Sequence, residues 1–77
     1  MTQSAEEVAR GLTHPQKRYM RRLKEFGSIS VSQIPSRVAH RLEAAGLVIR
    51  DNPISFLTYE ISLFGLAVAR ELEARDD

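Results

Sequence analysis

The segment Arg37-Val-Ala-His-Arg-Leu-Glu-Ala-Ala-Gly-Leu-Val-Ile-Arg50 constrains the fold of this chain more than any other. Val38, Ala39, Leu42 and Ala45 recur at helical spacing and form the inward side of a helix. Gly46 ends that helix, and Leu47-Val-Ile-Arg50 follows at once as a short apolar strand. Asp51-Asn-Pro53 is a turn signal, and Phe56 to Ile61 returns as the second strand of a hairpin. Ser62 caps a last helix with Phe64, Ala67, Val68 and Leu72 on one stripe and Leu63 and Leu66 beside it. There is no repeat, no low-complexity tract and no linker, so residues 1–77 read as one domain.

The first half of the chain carries two helix starts. Ser4-Ala-Glu-Glu7 fits a capping box, in which the serine oxygen takes an unpaired N–H and Glu7 reaches back. A short helix from Ala5 to Arg10 follows, closed by Gly11. Thr13-His-Pro-Gln16 repeats the pattern, with Pro15 in the first turn where its missing N–H costs nothing. This second helix runs to Phe26, and Gly27 takes the left-handed conformation that closes it. Its apolar positions are Tyr19, Met20, Leu23 and Phe26; Lys17, Arg21 and Lys24 share another face, and Arg18, Arg22 and Glu25 a third. Ser28-Ile-Ser-Val-Ser32 alternates polar and apolar residues, as a half-buried strand does. Pro35 then opens the helix that reaches Ala45, with Ser32 or Ile34 just before it. The outward positions of that helix are Ser36, Arg37, His40, Arg41 and Ala44.

Size and charge narrow the function. A chain of 77 residues buries only about 60% of its unfolded surface, so its core is thin. The absence of cysteine excludes disulfides and thiolate zinc sites, and no residue pattern calls for a metal or cofactor. No apolar run approaches the ~18 residues of a membrane span, and Met1–Gly11 has no signal-peptide stretch, so the expected location is the cytoplasm. Net charge is +1, but it is unevenly spread. Nine arginines and lysines lie between Arg10 and Arg50 against Glu25 and Glu43 alone, whereas the stretch from Asp51 onward is acidic. A basic middle with acidic ends directs a polyanion to the middle.

The order helix, strand, helix, hairpin, helix resembles the winged helix-turn-helix superfamily, especially its small bacterial and phage members. The resemblance runs from about Leu12 to Leu72 and is carried by Arg41-Leu-Glu-Ala-Ala-Gly-Leu-Val48 and Tyr59-Glu-Ile-Ser-Leu-Phe-Gly-Leu-Ala67. It implies an α+β, mostly helical domain with a short three-stranded sheet or two-stranded wing and a C-terminal helix. The resemblance further implies that helix 35–45 lies in the DNA major groove. Arg37 and Arg41 would then grip guanine edges or phosphates, with base contacts from Gln33 and His40 and a phosphate contact from Ser36. Lys17, Arg18, Arg21 and Arg22 on the preceding long helix would meet the phosphate backbone. The interval between Gly27 and Arg37 is short, so the family's first helix of the pair shrinks to about one turn near Val31–Ile34. The C-terminal helix is a familiar place for self-association in the superfamily, which makes Leu63, Leu66 and Leu72 candidates for a homodimer face.

Two functional readings follow, neither of them enzymatic. No glycine-rich phosphate loop or nucleophile motif is present, and His14 and His40 are far apart in sequence, neither with a second histidine or a cysteine at helical spacing. Asp51 and Glu60 are a weak pair for acid–base work. The first reading is a small sequence-specific transcriptional regulator that binds double-stranded DNA as a homodimer. The second is a winged helix used to bind protein, such as a phage-encoded inhibitor (anti-CRISPR-like) of a host complex. It draws on the hairpin tip, which is acidic and then apolar rather than basic, with Ile54, Phe56 and Leu57 as contact candidates.

Overall fold

The computed structural model describes residues 4–51 and 57–75. Its elements are α1 (Ala5–Gly11), α2 (His14–Phe26), β1 (Ser28–Ser30), a short 3-10 helix (Val31–Gln33), α3 (Ser36–Ala44), β2 (Val48–Arg50), β3 (Thr58–Ile61) and α4 (Leu63–Arg75). The fold is α+β and mostly helical, with a three-stranded antiparallel sheet in the order β1-β3-β2. Ile29 pairs with Tyr59 and Tyr59 with Arg50, so these three share the inner face of the sheet, and Val48 joins them opposite Ile61.

Both capping boxes form. Ser4 Oγ accepts from the Glu7 N–H at 3.2 Å, and the Ser4 N–H donates to Glu7 Oε1 at 3.4 Å. In the second box the Thr13 N–H donates to Gln16 Oε1 at 2.8 Å. Two glycines supply the left-handed turns that end α2 and α3: Gly27 has φ 81° and Gly46 has φ 76°. Around Gly46 the closure is of the Schellman type, with the Gly46 N–H on the Glu43 carbonyl and the Leu47 N–H on the Leu42 carbonyl.

The core lies between the four helices and the inner face of the sheet. Met20, Leu23, Leu42, Leu47 and Val68 are its largest fully buried side chains, each worth roughly 1.5–3 kcal/mol of transfer energy. Ala9 brings α1 against α4, and Val68, Ala69 and Leu72 are the buried side of α4.

Several sequence expectations are corrected by this packing. The buried stripe of α2 is Gln16, Met20 and Leu23, with Tyr19 at its margin, and Phe26 is 69% exposed. The reason is positional, because Phe26 is the last helical residue before the chain turns at Gly27. Ala45 is exposed, since it caps α3 rather than continuing it. β1 stops at Ser30, whose Oγ accepts from the Ser32 N–H at 3.4 Å and starts the 3-10 helix, so Val31 and Ser32 leave the strand. Leu57 precedes β3, so the second hairpin strand begins at Thr58. Leu72 is 3% exposed and belongs to the monomer's core, not to a contact surface. Leu63, by contrast, is 88% exposed, and Leu66 is half-buried. Among the described residues no helix is long and apolar enough to cross a membrane.

Candidate functional site

α3 is held from beneath and at its C-terminal end. Ala39 and Leu42 anchor it to the core, and its C-terminal closure passes directly into β2. Its outward positions Ser36, Arg37, His40 and Arg41 are all exposed. The single carboxylate of the helix, Glu43, is turned away from them towards β2. There it accepts from Arg50 Nε at 2.9 Å and from Arg50 Nη2 at 3.4 Å. Arg37 and Arg41 have no acidic partner among the described residues. Both line a shallow groove against Thr13, Pro15 and Val38, where the start of α2 meets α3. Arg41 also borders a second groove with Glu7, Leu12 and Ala44. The surface of α3 is therefore a helix face with two guanidiniums one turn apart and no carboxylate on it.

The basic residues of α2 divide into two groups. Lys24 is ion-paired with Glu73 of α4, and Arg21 lines the same groove with Glu25. Lys17 is half-buried. This side of α2 faces the acidic helix, so its positive charge is partly neutralised. Arg18 and Arg22 are exposed on the other side and have no acidic partner among the described residues. Arg22 lines a cleft with Phe26, Ser28, Ser30 and Gln33. The sequence groups Gln33 with the outward residues of α3, whereas in the structure it lines this cleft with Arg22 and Phe26.

Asp51 has a structural task. Its carboxylate accepts from the Leu57 N–H at 3.1 Å and the Thr58 N–H at 3.2 Å, across the base of the hairpin. The adjoining Leu57 side chain is 70% exposed. Ile54 and Phe56 lie outside the described residues. Among the described residues there is no cluster of three histidines or acids able to hold a metal ion.

Phe26, 69% exposed, lines the cleft beside Arg22 although its position on the apolar stripe of α2 predicts burial. Helical periodicity places it in the core, and no local signal separates it from Leu23.

No family model matches this sequence, and no curated protein or solved structure matches it.

Proposed function

We propose that this α+β domain is a winged helix-turn-helix protein that binds double-stranded DNA through α3, as a small sequence-specific transcriptional regulator in the cytoplasm. The observation that carries the reading is the outward face of α3, where Arg37 and Arg41 stand exposed while Glu43 is withdrawn onto Arg50. A helix of this width fits the major groove, and arginine reads guanine through two hydrogen bonds. His40 adds a base contact and Ser36, at the start of the helix, a phosphate contact. The sheet order β1-β3-β2, with α3 leading straight into β2, supports the winged-helix reading. The 3-10 helix Val31–Gln33 stands where that reading requires a shortened first helix. A homodimer through α4 would use Leu63 and Leu66, without Leu72.

The test is a fluorescence-anisotropy titration against mixed-sequence duplex DNA at low and near-physiological salt. The reading expects micromolar binding whose log affinity falls by about 0.9 per phosphate contact per decade of salt. Absence of binding at low salt overturns it.

One observation favours the rival, a protein-binding module. The hairpin base presents Leu57 to solvent, and the acidic residue beside it holds the backbone rather than repelling a partner. Buried apolar anchors dominate protein interfaces. In that reading the basic patch meets an acidic protein surface and the wing supplies the anchor, so Leu57→Ala weakens partner binding more than Arg37→Ala does.

A further inference from the structure

The cleft between the end of α2 and β1 sets Phe26, which the duplex reading does not use, beside Arg22 and Gln33, for which that reading offers only phosphate and base-edge contacts. Phe26 stands 69% exposed at its edge, although Phe is among the residues most often buried. Arg22 lies one helical turn before Phe26, and Arg18 one turn before that, so a phenyl ring and two guanidiniums follow one another along one side of α2. Neither arginine is tied to a carboxylate among the described residues. Across the cleft stand Gln33, which is exposed, and Ser28 and Ser30 of β1. An aromatic face, adjacent cations and an amide are the components that bind an unpaired nucleotide. The ring stacks on the base, the guanidinium meets the phosphate, and the amide meets the base edge. A duplex cannot use this arrangement, because its bases are stacked on one another and their faces are closed to a phenyl ring.

We infer that this cleft holds an unpaired nucleotide, with its base on Phe26 and against Gln33, and its phosphate on Arg22, continuing along the strand to Arg18. The ligand chemistry is a nucleobase carrying a phosphate, supplied by single-stranded nucleic acid or by a free nucleotide. This surface is separate from the outward face of α3, and the inference does not rest on the duplex reading.

The experiment titrates the full chain with labelled short oligothymidine at low salt. Thymidine monophosphate serves as competitor, and a duplex of the same length as the second ligand. Phe26→Ala and Phe26→Leu are expected to weaken oligothymidine binding about tenfold or more, because stacking on the ring is lost in both. Arg22→Ala weakens it as well and flattens its salt dependence. Duplex affinity should fall in Arg37→Ala and stay unchanged in Phe26→Ala, which separates the two surfaces. Competition by the mononucleotide with the same dependence on Phe26 identifies a free nucleotide as the source; oligothymidine binding that the mononucleotide does not displace identifies a strand. Oligothymidine that fails to bind at low salt overturns the inference, and so does equal affinity of the wild type and both Phe26 variants. Phe26 is exposed, so both variants are expected to keep the wild-type circular dichroism and melting curve, which is checked first.

Discussion

The Ser62 hydroxyl joins two helices: it donates to the Gly46 carbonyl oxygen at 2.6 Å and accepts from the Gly65 N–H at 2.9 Å. One side chain thus satisfies a carbonyl just past the end of α3 and an amide in the first turn of α4. The adjacent backbone supports it, since the Ser62 N–H donates to the Leu47 carbonyl at 3.0 Å. The orientation of α3 is therefore coupled to the start of α4 through a residue that touches neither helix face.

Ser62→Ala removes the cap and leaves the Gly46 carbonyl without that donor. Loss of a helix cap costs about 1 kcal/mol and loss of a hydrogen bond a comparable amount. A destabilisation of about 1–2 kcal/mol is expected in urea unfolding. Ser62→Thr, which retains the hydroxyl, should recover most of it.

Gly65→Ala sets two effects against each other. Alanine is favoured over glycine within a helix by about 1 kcal/mol. A methyl at Gly65, however, would stand 2.2 Å from the Leu47 carbonyl oxygen and 2.9 Å from Ile61 Cγ1. The oxygen belongs to the backbone that enters β2, so it yields only if the helix moves away from the sheet. Overpacking of this kind costs about 1–3 kcal/mol, and the expected net result is a lower melting temperature. A melting temperature equal to or above that of the wild type would show that α4 shifts freely.

Leu23 and Phe26 separate the buried from the exposed end of α2. Leu23→Ala opens a cavity in the core and should cost about 2–5 kcal/mol. Phe26→Ser should change stability by less than about 0.5 kcal/mol, as surface substitutions do. Chemical denaturation of the two variants checks the placement, and a large loss in Phe26→Ser would return that ring to the core.

Arg37→Ala and Arg41→Ala test the α3 reading residue by residue. A bidentate arginine–guanine contact is worth about 1–3 kcal/mol. Each variant should therefore bind a selected duplex site roughly 5- to 150-fold more weakly, with preference relaxed at one base pair. If an arginine meets phosphate instead, the loss is uniform across sequences and the salt slope drops by about one. Titrations on the selected site and on a scrambled one distinguish these cases, and indifference to both substitutions rejects α3 as the contact.

How far the sequence is legible follows the range of the interactions involved. Ser4, Thr13, Gly27, Gly46 and Ser62 announce their roles because a cap or a left-handed turn is decided within about five residues. The outward face of α3 is legible for a similar reason, since one strong helical period with Ala39 and Leu42 inward leaves little choice for Arg37 and Arg41. Glu43 is another matter: nothing local says that it turns to Arg50, seven residues away across the Gly46 closure.

The sequence by itself determined the helix caps, the glycine closures of α2 and α3, the uneven charge and the absence of cysteine. Only the tertiary structure decided that β1 pairs with β3, that Leu72 is core while Leu63 is surface, and that Phe26 escapes burial to stand beside Arg22 and Gln33. The physical reason is that helical periodicity marks an apolar stripe but not how far along it a neighbour extends. α2 is covered as far as Leu23 by the elements packed on it, and one turn further the cover ends.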